Sequence, residues 1–169
     1  MKAVFTLLIY ALLLGCNADN SLPTKDSQVF IKPSTETYVI FSPMEGVLMK
    51  DGQPLPNTKI VRTLRWNDNE GGLTETFTTD EEGRFSLPIH EVDLTLGMLT
   101  QFVAKAELSV YSKNDDNLLW YSSKLHPEIF SETNGKAENL TCDISSDEIA
   151  IQADPIPILT KCRWANMPK

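Results

Sequence analysis

Between Glu45 and Leu87 the apolar runs are short, and each ends at residues that turn a chain. Gly46-Val47-Leu48-Met49 stops at Lys50-Asp51-Gly52. Asp-Gly after an apolar run signals a reversal, because Gly takes φ > 0 at no steric cost. Pro54 and Pro56 fix φ and lack N–H donors, so the residues that follow form a loop or a sheet edge. Residues 58–66 resume a strand, with Ile60, Leu64 and Trp66 on one face and Arg62 interrupting that face. Residues 73–79 are Thr-rich and β-prone. Residues 79–83 turn again, with Asp80 able to bond its own backbone and Gly83 free to go left-handed. Phe85 and Leu87 then alternate with polar neighbours and face inward.

The remainder repeats the pattern. Residues 38–41 read as a first strand, and residues 67–72 as a long polar hairpin tip. Residues 89–98 show no clear period and read as a loop or short helix. The clearest strand covers residues 102–111, where Phe102, Ala104, Ala106, Leu108 and Val110 oppose Lys105, Glu107 and Ser109. A turn at residues 113–117 leads into its partner, residues 118–123. Leu140, Cys142 and Ile144 alternate, so Cys142 points inward. Residues 149–151 suit a last short strand, and Pro155 and Pro157 argue for an extended tail beyond it. Short strands at regular spacing without a long helical period imply an all-β fold: an antiparallel β-sandwich of about seven strands.

The order Gly46-Val47, Gly52-x-Pro54-Leu55, then Thr79-Asp80-x-x-Gly83-x-Phe85 resembles the prealbumin-like domains termed carboxypeptidase regulatory-like or Cna-B-like. The whole chain resembles an uncharacterised family of bacterial exported lipoproteins built on that unit. The resemblance implies a fold and says little of an activity, because such sandwiches host many unrelated roles.

The first residues concern address. Met1-Lys2 is followed by an apolar run, residues 3–14, too short for a stable membrane span. Leu13-Leu14-Gly15-Cys16 resembles the bacterial lipobox, whose cysteine becomes the lipidated N-terminus. The expected organisation is a lipoprotein signal peptide at 1–15, a lipid-anchored tether at 16–37 and the sandwich domain at 38–169. The tether is polar, with Pro23 and Pro33. Asn17 after the cysteine favours the outer membrane under the enterobacterial sorting rule. The chain is therefore expected on the bacterial outer membrane, facing the periplasm.

The net charge of −8 becomes −9 once Lys2 leaves with the leader, 14 basic groups against 23 acidic ones. Such a surface argues against nucleic acid and against electrostatic binding to anionic headgroups, so the lipid makes the membrane contact. With Cys16 acylated, Cys142 and Cys162 remain as an even pair in an oxidising compartment, which favours a disulfide pinning the tail.

Catalytic chemistry is hard to assemble from these residues. His90 and His126 are the only histidines, neither stands at a ligand or nucleophile–base spacing, and both are expected as exposed loop residues. No HExxH, CxxC pair, P-loop or GxSxG element appears. The acidic turns do not match an EF-hand, so no metal or cofactor is expected. Trp66, Trp120 and Tyr121 read as core or as a binding face.

Recognition by loops remains. Asp68, Glu70, Asp115 and Asp116 lie on polar tips that suit a partner, a protein ahead of a glycan, while Asp51, Gly52, Asp80 and Gly83 serve structural turns. The sequence thus suggests a non-catalytic binding or accessory module of the cell envelope. A second reading from the same features is an immunity protein that neutralises a periplasm-delivered toxin.

Labelled palmitate is expected to enter the wild-type chain and not Cys16→Ser. Equal labelling of the two would remove the anchor.

Overall fold

In the computed structural model, which describes residues 34–111, 117–153 and 156–168, the turns separate thirteen strands. Seven have five residues or more: β1 (Glu36–Phe41), β2 (Met44–Lys50), β4 (Lys59–Trp66), β5 (Asn69–Thr78), β7 (His90–Leu94), β8 (Ala104–Val110) and β9 (Asn117–Lys124). The shorter ones are β3 (Gln53–Pro54), β6 (Arg84–Leu87), β10 (Leu140–Asp143), β11 (Ile149–Ile151), β12 (Ile158–Thr160) and β13 (Cys162–Arg163). The fold is all-β, and every strand pairing is antiparallel except β2 with β10.

The strands form a six-stranded sheet, order β11-β12-β9-β8-β4-β5, a five-stranded sheet, order β13-β10-β2-β3 with β6 also on β2, and a β1-β7 pair. One apolar cluster joins them, with Leu48, Ile60, Leu64, Leu87, Leu108, Leu119, Trp120 and Ile158 almost wholly buried. The alternation expected in β8 is realised: Ala104, Ala106, Leu108 and Val110 are buried and the intervening residues are not.

The structure departs from the sequence reading in three places. Residues 90–94 are a strand rather than a loop or helix, because His90-Glu91-Val92-Asp93-Leu94 alternates once Val92 is counted, and they pair with β1. The 67–72 tip is short: Asn67 and Asp68 alone turn the chain between paired Trp66 and Asn69. Asp68 takes φ 65° there, and Gly72 at φ 78° lies in the irregularity between Leu64 and Trp66 that accommodates the extra residues of β5.

The third departure is the tail, which is built into both sheets. The β8–β9 register slips between Leu108 and Ser109, so Leu119 and Trp120 are both buried. The Leu119 carbonyl accepts from Lys161 N at 2.9 Å and Thr160 Oγ1 at 2.8 Å. This holds the chain where it leaves β12 in one sheet for β13 in the other. Cys162 then sits opposite Cys142 and forms the disulfide. Closing a separation of 20 residues, the bridge contributes on the order of 3 kcal/mol.

The two turns behave as their residues require. Asp51 and Gly52 both have positive φ, 52° and 74°, in a two-residue hairpin between paired Lys50 and Gln53. Asp80 Oδ1 accepts from Glu82 N at 3.0 Å and Arg84 N at 2.7 Å. Gly83 is buried at φ 74°, and a Cβ there would stand 2.7 Å from Leu48 O and 2.9 Å from Leu55 N. Gly83→Ala is therefore expected to lower stability by more than about 1 kcal/mol, read as a lower urea midpoint. A midpoint equal to wild type would contradict the close approach.

Candidate functional site

The β4–β5 hairpin is held rigidly where it turns. Asn67 N donates to Val103 O at 3.2 Å, Asn67 Nδ2 to Gln101 O at 3.0 Å, and Val103 N to Asn67 Oδ1 at 2.7 Å. These bonds fasten the tip to the segment leading into β8. Beside them lies a groove of about 520 Å³ lined by Arg65, Trp66, Asn67, Asp68, Glu70, Val103 and Lys105.

Its electrostatics are mixed rather than acidic. Strand parity turns Arg65 outward on β4, directly opposite Lys105 on β8, and like charges in that position repel. Asp68 and Glu70 supply the opposite sign at the tip. Among the described residues none of these four side chains enters a salt bridge. Trp66 is half-buried at the groove, with its ring 5.4 Å from that of His90.

The sequence placed Asp115 and Asp116 with Asp68 and Glu70. They lie outside the described residues, but their flanks Val110 and Asn117 pair at one end of β8, whereas Trp66 pairs with Ala104 at the other. Cys16 also lies outside the described residues. Asp51 and Gly52 are brought to Asp143 and Ser145: Gly52 N donates to Asp143 Oδ2 at 2.8 Å and Asp51 N to Ser145 Oγ at 3.0 Å. Burial pushes the Asp143 carboxyl up, but the hydrogen bonds from Gly52, Ser145 and Asp51 outweigh it and hold its pKa low.

Two further clusters were not assembled from the sequence, although Arg62 stood out there as a charge on an apolar face. Arg62 is fully buried; Nε and Nη2 donate to Glu75 Oε2 at 3.0 and 2.6 Å, and Nη1 donates to Pro88 O at 2.6 Å. Lys124, Ser42 and Glu132 form a second buried group. Ser42 Oγ accepts from Lys124 Nζ at 3.2 Å and Phe130 N at 2.7 Å and donates to Glu132 Oε2 at 2.9 Å. Burial lowers the Lys124 pKa, and the Glu132 charge 2.9 Å away opposes that shift. With its hydrogen bonds filled, Ser42 serves here to tie the 126–134 segment to the β1–β2 connection. Among the described residues no three His, Cys, Asp or Glu side chains converge as a metal site.

A sequence profile described as "Domain of unknown function (DUF6795)" matches residues 44–147, well over half of the chain. The chain belongs to that family. The matched span contains the whole groove and Cys142 but ends before Cys162. No curated protein and no solved structure matches the chain.

The histidines differ from each other. His126 is exposed, as expected. His90 is half-buried as the first residue of β7, and its Nε2 is buried without a hydrogen-bond partner among the described residues. Burial lowers its pKa, Glu75 raises it and Arg62 lowers it again, for a net downward shift. The unfolded chain thus takes the proton first as pH falls, and stability drops from the ordinary imidazole value toward the lowered one. His90→Phe keeps a ring on Trp66 and removes this titration. Its urea midpoint is expected to fall less than wild type between about pH 7.5 and about pH 5.5, which bracket the usual value of about 6.5. Parallel falls would contradict the assignment.

Proposed function

We propose that the chain is a lipid-anchored envelope protein, facing the periplasm, whose domain recognises a protein partner without catalysis through the groove beside the β4–β5 hairpin. The observation that carries this is Trp66 set among two cations and two carboxylates, none of them in an ion pair within the described residues. An aromatic anchor ringed by charges of both signs suits a protein surface that carries the complementary pattern. Hydrogen bonds between Asn67 and the backbone of Gln101 and Val103 hold the tip, so little ordering accompanies binding. The lipobox at Leu13-Leu14-Gly15-Cys16 supports the anchored, outer-membrane placement, and the sandwich is of the kind that prealbumin-like modules use to carry loops.

Capture from envelope extract followed by binding kinetics at two salt concentrations tests the groove. Asp68→Asn with Glu70→Gln, and separately Arg65→Gln with Lys105→Gln, are each expected to slow association and flatten its salt dependence. Trp66→Phe is expected to weaken binding by up to about tenfold, mainly through faster dissociation. Exposed charges contribute little to folding, so urea midpoints of the charge variants should stay near wild type. Unchanged binding by all three variants would place the interface elsewhere.

A further inference from the structure

Two large apolar side chains stand fully out from the surface: Met98 at 78% exposure and its neighbour Leu99 at 99%. They form the tip of a turn at residues 97–100, closed by Thr100 N donating to Gly97 O at 2.8 Å. Single exposed apolar residues are ordinary, but this pair sits on a loop anchored at both ends. On one side Thr95 Oγ1 lies 2.7 Å from Thr35 Oγ1, and Leu96 packs against the core. On the other, Gln101 O accepts from Asn67, and buried Phe102 stacks on Tyr38 at 5.1 Å.

The Thr35–Thr95 contact also marks where the chain enters the domain. Glu36, the first residue of β1, pairs with Leu94, two residues before Leu96. Reading backwards from Ser34, residues 17–33 lead to Cys16. That length reaches at most about 60 Å. The segment that leads to Cys16 thus joins the domain at the end that bears Met98 and Leu99. Glu36 and Asp93 are exposed at the same end, so attraction to anionic headgroups is not what would draw it to a membrane.

We propose that the Met98–Leu99 turn inserts into the bilayer to which Cys16 tethers the chain, as a second, hydrophobic attachment. This rests on the lipoprotein reading and deepens the recognition proposal. The bonds from Asn67 join the β4–β5 tip to this loop, so insertion holds the Trp66 groove near the membrane surface, where its partner is a membrane-associated protein. Two inserted side chains add buried apolar area to the attachment that the lipid provides.

The test uses the full, lipidated chain in phosphatidylcholine vesicles whose acyl chains carry bromine, a short-range quencher of tryptophan. Leu99→Trp places a reporter at the tip. Tyr111→Trp places one at the opposite end of β8, where Tyr111 is 62% exposed. On floated vesicles Leu99→Trp is expected to show blue-shifted emission and bromine quenching beyond wild type, and Tyr111→Trp neither. Equal quenching of the two, or none, on floated protein would overturn insertion. A blue shift without bromine quenching would also overturn it, because the turn would then be covered by protein. Failure of every variant to float, Cys16→Ser behaving the same, would instead bring down the anchor and this proposal with it.

Discussion

A cation without access to water governs how the first half of the domain is assembled. The Arg62 guanidinium lies 4.7 Å from the Phe41 ring centroid and 5.0 Å from that of Phe77, with Glu75 and the Pro88 carbonyl accepting its hydrogen bonds. It thereby touches β1, β4, β5 and the β6–β7 connection at once. Removing Glu75, whose side chain is 30% exposed, would leave the buried Arg62 cation without its counter-charge, at a cost of up to about 3–5 kcal/mol. Arg62 and Glu75 are direct partners across β4 and β5, so a slip of one residue would separate them and turn one to the other face. The pair reinforces the register that buried Ile60 and Leu64 already favour on the same face of β4.

The second half depends on a different device. The tail binds the two sheets by passing from one to the other within a few residues. The bulge that exposes the Leu119 carbonyl to Thr160 and Lys161, and the disulfide one residue later, fix both sides of that crossing. Lys124, Ser42 and Glu132 do similar work beneath the irregular segment after β9, where one 3-10 turn, Ser131–Thr133, is the regular element. Buried charge and covalent linkage thus appear where short strands bury too little apolar area to define a single arrangement.

The hairpin end collects features that are separated in sequence. Trp66 and Lys105 belong to different strands, Asn67 bridges to Gln101 and Val103, and Met98 and Leu99 project from the loop between β7 and β8. The sequence reading saw an acidic tip because Asp68 and Glu70 are consecutive signals, whereas Arg65 and Lys105 become neighbours only through the β4–β8 pairing. An acidic patch in sequence is a mixed groove in space.

Local chemistry determined the strand composition, the Asp51-Gly52 and Asp80–Gly83 turns and the inward alternation of β6 and β8, because steric limits on φ and the two-residue period of a strand act over a few residues. The same reasoning reached the Cys142–Cys162 bridge, since an even pair of cysteines leaves one intramolecular pairing. It could not reach the Arg62–Glu75 pair, the sheet-switching tail or the charges that surround Trp66. Those depend on which strands lie side by side, and pairing between residues distant in the chain is decided by the closing of one shared core.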